Sequence, residues 1–302
     1  MKNILSLITL LLCVSGFAQN TLAKAELEAE NVDEVRIEGS FVDVFVNSGD
    51  RVYFKGIITG SGDEGDYSFD TDIVGRTLVI RVDRRNSNNW KNFRITESRI
   101  DLTITDGIKL DIDNSSGDVN VANLRASSSN IEATSGDITL RSIVANLNVE
   151  TSSGDIDIDG LTGDSEIEST SGDQEIYNSK GNIETRSSSG DITISGFNGK
   201  IEIQATSGDV EIRKGVGAIK ARTSSGNIDG YGIELNDNTY FDATSGNIEI
   251  DFVNDLDDLS FDLTATSGDL EVGSRSGDKR LVIDRGGIKV IGTTSSGDQE
   301  YE

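Results

Sequence analysis

Apolar and polar residues alternate over short stretches, and the stretches recur at a fixed interval along most of the chain. In SSGDITISGFNGKIEIQA, Ser188 to Ala205, Ile192 and Ile194 fall on one side of a predicted strand, and Ile201 and Ile203 repeat the pair nine residues later. Period-two alternation of β-branched residues predicts half-buried strands, so each eighteen-residue unit holds two of them. The units are punctuated by Ser-Gly-Asp or Ser-Gly-Asn, with Gly136, Gly154, Gly172, Gly190, Gly208 and Gly226 eighteen residues apart. Further first-strand inward pairs are expected at Val119 and Val121, Ile138 and Leu140, Ile156 and Ile158, Val210 and Ile212, Ile248 and Ile250, and Leu270 and Val272. A third apolar residue follows at a corner in Leu124, Ile143, Leu161, Phe197 and Ile233. Second strands fall at Leu147 and Val149, Ile183, Ile219 and Ala221, and Phe261 and Leu263. Gln174 and Gly230 stand at inward positions and predict locally thinner coils. Beyond Gly226 the spacing widens to Gly246 and Gly268, which predicts longer corner loops in the later coils.

A fixed period of this size implies stacked units, each burying its apolar side only against its neighbours. The chain is therefore expected to be all-β, a solenoid with coils of about 18 residues. At ~4.8 Å per coil, residues 114–302 would make a rod on the order of 50 Å long. Residues 19–113 lack the clean period but keep the alternation in FVDVFV from Phe41, RVYF from Arg51, TLVIRV from Thr77, RIDLTI from Arg99 and IKLDID from Ile108. They read as irregular β coils or a cap on the same stack, with a separate small β-sandwich as the alternative. Ser48-Gly49-Asp50 and Ser61-Gly62-Asp63 resemble degenerate copies of the corner.

Composition agrees with this picture. Among 302 residues there are 33 Gly and no Pro, and proline would interrupt pairing in central strands. The first residues, MKNILSLITLLLCVSGFAQN, carry Lys2, an apolar run and small residues at Gly16 and Ala18, the pattern of a signal peptide over residues 1–18. The expected mature chain starts at Gln19 and has no cysteine, since Cys13 is the only one; a lipid anchor on Cys13 is disfavoured by Leu12. A net charge of −26 opposes binding to nucleic acid and anionic lipid. The expected location is periplasmic, cell-surface or secreted.

The Ser-Gly-Asp units, with LVIRV and IKLDIDNSSGDVNV before them, resemble a bacterial β-strand-repeat family described as "putative adhesins". The resemblance spans about Val35 to Glu302 and implies a right-handed parallel β-helix outside the cytoplasm. It carries over no catalytic residue.

Candidate chemistry is sparse. Asp137, Asp155, Asp173, Asp191 and Asp209 should form a row continued by Asn227 and Asn247. Aligned carboxylates could hold calcium, yet the exchange of Asp for Asn favours hydrogen-bonded turn capping, and calcium is kept as the lesser alternative. Outward strand positions are acidic too: Glu132, Glu166, Glu184 and Glu202 on one side, Asp157, Glu175, Glu211, Asp229, Glu249 and Glu271 on the other. Charge of this kind ordinarily marks a solvated face. Flat double rows of Thr, as ice binding would need, are missing. Histidine and any G-x-S-x-G nucleophile motif are absent, which leaves Lys214, Lys220 and Arg222 beside the acidic wall as the nearest approach to a catalytic mixture. The basic stretch RRNSNNWKNFR, Arg84 to Arg94, offers Arg85, Trp90, Lys91 and Phe93 as binding candidates, or else an aromatic cap over the end of the stack. The reading that follows is a non-enzymatic adhesin-like or interaction scaffold at the cell envelope, facing a protein or glycan partner. A polysaccharide-active enzyme or carbohydrate-binding module on the same fold is the alternative.

Overall fold

The structure, a computed structural model, describes residues 20–85 and 94–302. The leader expected over residues 1–18 and the Trp90, Lys91 and Phe93 positions lie outside the described residues.

β-branched alternation gives what it should: one continuous sheet of 28 strands among the described residues, interrupted only by a short 3-10 turn at Leu256–Asp258. Through the middle of the chain each strand lies parallel to the strand one repeat away. Ile156 faces Gln174, Gln174 faces Ile192 and Ile192 faces Val210 on the first-strand side. On the second-strand side Ile183 faces Ile201 and Ile201 faces Ile219. The inward rows meet between the two sides, and Ile138, Leu140, Ile156, Ile158, Ile192, Ile194, Val210 and Ile212 are fully enclosed. The corner residues Leu124, Ile143, Leu161, Phe197 and Ile233 are buried as well.

The two coils expected to be thin are filled. Gln174 is enclosed, with its amide donating to Ser169 Oγ at 2.8 Å and to the Arg186 carbonyl at 2.7 Å while Thr185 donates to its Oε1. A fully partnered amide costs little in an apolar row. At Gly230 the methyls of Ile233 and Ile250 occupy the space that a side chain would take.

Both ends of the stack depart from the order of the chain. The strands Glu34–Gly39 and Asp43–Ser48, the opening coil, lie between the coil of Thr77–Arg84 and Ile95–Ile104 and the coil of Lys109–Ser116 and Val119–Ala122. At the other end Ile288–Ser296 and Gln299–Tyr301, the closing coil, fill the gap between Thr239–Ser245 with Ile248–Phe252 and Leu259–Ser267 with Leu270–Val272. The later coils thus differ from the expected simple succession with longer loops: Gly246 is followed in space by Gly297, then Gly268.

Antiparallel strands cover the last parallel edges. Asn20–Ala29 pairs with Val52–Gly60, which pairs with Ile95–Ile104, and Tyr67–Val74 pairs with Thr77–Arg84. The three-residue strand Arg275–Gly277 and the four-residue strand Arg280–Ile283 do the same at the far end. Short, charged or antiparallel borders of this kind blunt edge-to-edge aggregation. Ser48-Gly49-Asp50 leads from the parallel strand Asp43–Ser48 into the antiparallel Val52–Gly60, and Ser61-Gly62-Asp63 follows Val52–Gly60; neither belongs to the corner row, whose first member is Asp43.

Candidate functional site

The corner aspartates form a continuous ladder. The backbone N–H of each donates to the side-chain Oδ1 of the residue one coil away: Asp155 to Asp137 at 3.0 Å, Asp173 to Asp155 at 2.9 Å, Asp191 to Asp173 and Asp209 to Asp191 at 2.8 Å. The row begins with Asp118 donating to Asp43 and continues through Asn227, Asn247 and Asp298 to Asp269 at distances of 2.7 to 3.1 Å. An Asn oxygen accepts as well as an Asp oxygen, which explains their exchange. Among the described residues no three Asp, Glu, His or Cys side chains converge as metal ligands.

This geometry carries a prediction. Asp173→Ala removes one acceptor and leaves the Asp191 amide unpaired, at a cost of about 1–2 kcal/mol, whereas Asp173→Asn keeps the bond and relieves carboxylate repulsion. Urea denaturation of the two variants should place Asn at or above the parent and Ala below it.

A second ladder runs along the opposite corner, where Asp164 N–H donates to Asn146 Oδ1 at 3.1 Å and Asn182 N–H to Asp164 Oδ1 at 2.8 Å. Sequence reading passed over it. Its signal is the half-period: Gly163, Gly181 and Gly199 stand nine residues after Gly154, Gly172 and Gly190.

The outer side of the second strands holds a groove of about 470 Å³. Its floor is a column in register, Glu150, Glu168, Arg186, Gln204, Arg222 and Asp242. Exposed hydroxyls of Thr170, Ser188, Thr206, Ser224 and Thr244 form its ledge. Arg186 donates to Glu166 at 2.8 Å and also pairs with Glu168 and Glu184, and these contacts raise its pKa. Lys220 pairs with Glu202 and holds that carboxyl below its usual range. Arg222 lies 3.9 Å from Asp242 and 5.0 Å over the Tyr240 ring. Lys214 is not brought to this groove; it occupies a left-handed turn position (φ 48°) next to Gly232 at the edge of the first-strand side.

The first-strand side carries a different column. Glu211, Asp229, Glu249, Glu300 and Glu271 are successive neighbours, an order that exists only because the closing coil is inserted. Arg213 pairs with Glu211, but beyond it the adjacent column continues with Tyr231 and Asp251. Burial and then the Glu249, Asp209 and Glu211 charges raise the Asp229 pKa. Glu300 is raised by desolvation and by Glu302, Glu249 and Glu271. A carboxyl whose folded pKa lies above its unfolded value loses stabilising protonation as pH climbs from about 4 through the folded value. Asp229→Asn should therefore raise the melting temperature at pH 7 and give no gain at pH 4, measured as the difference from the parent at each pH.

Arg85, the one of the four binding candidates in the basic stretch that is among the described residues, is tied back to the neighbouring hairpin: it donates to Ser68 Oγ and Asp70 Oδ1, both at 2.9 Å. Among the described residues no helix is long and apolar enough to cross a membrane.

A family model described as Toastrack DUF4097 matches residues 32–213 and 197–299. No curated protein matches the chain. Among solved structures, a "putative adhesin" from Bacteroides fragilis is 13% identical, with 92% of this chain and 96% of that one covered and a TM-score of 0.40. A "putative adhesin" from Parabacteroides distasonis is also 13% identical over 92% and 95% of the two chains, with a TM-score of 0.34. A "putative lipid binding protein" from the same species is 15% identical over 76% and 96%, with a TM-score of 0.33.

Proposed function

The chain belongs to the Toastrack DUF4097 family, and from that premise we propose that it is an exported, non-enzymatic, right-handed parallel β-helix serving as an adhesin-like scaffold at the cell envelope. One observation carries this reading: rigid ladders hold a long polar groove in register, with Arg186, Gln204 and Arg222 in three successive coils beside a hydroxyl ledge. A floor of mixed donors and acceptors suits a polar, extended partner lying along the stack, a glycan or a peptide. Oδ1 of each corner aspartate from Asp137 to Asp209 already accepts a backbone N–H. That engagement supports turn capping as the role of the row, and calorimetry with calcium should show no saturable site tighter than about millimolar.

The test is binding of the purified protein to envelope fractions, with Gln204→Ala combined with Arg222→Ala as the groove variant. Binding should drop at least about tenfold while the melting curve stays that of the parent. Unchanged binding by the variant would refute the groove. Periodate treatment of the envelope that abolishes binding identifies a glycan, and protease treatment that does so identifies a protein. Release of new reducing ends from an envelope polysaccharide would overturn the non-enzymatic reading.

A further inference from the structure

Among the described residues the coil Leu259–Ser267 with Leu270–Val272 has no strand pairing with the body of the stack; the strands that lie between the two, Ile288–Ser296 and Gln299–Tyr301, come after it in the chain. Leu259–Ser267 is bonded on one side to Ile288–Ser296 and on the other to Arg280–Ile283; the body of the stack, ending in Thr239–Ser245, is bonded to the opposite side of Ile288–Ser296. The chain leaves the stack after Phe252, passes over the space of one coil, lays down the end coil and its two antiparallel strands, then returns through residues 284–287 to fill the space.

What fills it is tightly held. Tyr301 is fully buried, stacked on Phe252 at 6.1 Å and packed 5.6 Å from Phe261 and 6.3 Å from Phe241. Its hydroxyl donates to Gln299 Oε1 at 3.2 Å, and the Gln299 amide donates to the Thr264 carbonyl at 2.8 Å. Those two side chains join residues of the body, the closing coil and the end coil into one contact set. Glu302 closes the border, donating to the Ile250 carbonyl at 2.9 Å and accepting from Phe252 N–H at 2.8 Å. The aspartate ladder crosses at the same place, from Asn247 through Asp298 to Asp269.

We infer that residues 288–302 act as a latch: the end coil and the closing coil open and close as one unit, distinct from the coils before Phe252. Opening that unit uncovers the parallel borders of Thr239–Ser245 and Ile248–Phe252, which closure keeps from other strands. The opening coil at the other end differs, since both coils that enclose it follow it in the chain.

Native-state hydrogen exchange on the full chain in sub-denaturing guanidinium tests the latch. Amides of 259–272 and 288–301 should share one opening free energy, below that of 183–225. Separate opening of the two segments, or merging of both with 183–225, would overturn the proposal. A double-cysteine variant reads the coupling directly. Ser245 and Ser296 are register partners, and Ser245→Cys with Ser296→Cys places the two sulfurs within reach of a disulfide. Oxidation should slow exchange of 259–272 by at least about tenfold, although that segment bears neither cysteine. Exchange there that is indifferent to oxidation would refute the latch.

Discussion

Ile192→Asp is expected to unfold the central coils, with a loss of about 4–5 kcal/mol or more. Ile192 is fully enclosed and stands in register between Gln174 and Val210. A carboxylate there meets Val210 on one side and on the other the Gln174 amide, whose donors already serve Ser169 and the Arg186 carbonyl, and no cation, so it must either stay charged without a partner or take up a proton at a cost set by its raised pKa. Gln174, one coil away, shows what tolerance requires: both ends of its amide are bonded, to Ser169, the Arg186 carbonyl and Thr185. At Ile192 the counterpart of Ser169 is Ser187, which donates to the Gly190 carbonyl, while the counterpart of Thr185 is Ile203, so the full set of partners is missing. The neighbouring Thr193→Asp is the control, because Thr193 points outward between Glu175 and Glu211, and its cost should stay within about 1 kcal/mol. Circular dichroism followed through a guanidinium titration separates the two. Equal midpoints for Ile192→Asp and the parent would mean that the inward register is wrong.

The interior of the stack was legible because its information is local. Alternation assigns Ile192 and Ile194 inward, the glycine period assigns the corner, and the interchange of Asp209 with Asn227 shows that the corner needs an acceptor rather than a charge. Neighbourhood at the ends is not local. No strand pattern states that Asp298 lies between Asn247 and Asp269, or that Asp43 lies beside Asp118, since those contacts are set by which coil the chain leaves room for. The candidate site shares this division. The acidic alternation of Glu211, Asp229, Glu249 and Glu271 could be read from the chain, while the place of Glu300 inside that column could not. Arg186 as the partner of three glutamates was hidden in part: Glu184 precedes it by two on the same strand, but Glu166 and Glu168 become its neighbours only once the coils are stacked. Gln174 and Gln299 were missed for a different reason: a polar residue on an inward row looks like a defect until its partners are known.

Gly190→Ala is expected to be at least as damaging as a large core truncation, with a loss of about 3 kcal/mol or more. Two separate effects meet at this residue. Its φ of 137° lies where a β-carbon is strained, and a Cβ built there would overlap the carbonyl group of Gly172 in the coil below. The second effect adds to the first. Another row of the same protein shows that the left-handed α region is open to other residues, since Asn178 (φ 55°) and Lys214 (φ 48°) stand at the turn position that Gly196 (φ 73°) also occupies, whereas the φ of 137° at Gly190 lies outside that region. A Cβ on Gly196 meets its nearest neighbour, the Asn178 side-chain oxygen, at 3.2 Å, and a flexible amide can move aside. Gly196→Asn should therefore cost no more than about 1 kcal/mol. At Gly190 the obstacle is backbone, held in place by the Asp191 N–H bond to Asp173 at 2.8 Å and by the Gly172 N–H bond to the Ser189 carbonyl at 3.2 Å. Relief would require the two coils to separate, which would lengthen the ladder bonds on both sides and part the inward rows that exclude water. Guanidinium midpoints of the two variants decide the matter: if Gly190→Ala proves as mild as Gly196→Asn, the coil spacing and the corner backbone both yield, and the closeness of the stack does not require glycine at the corner.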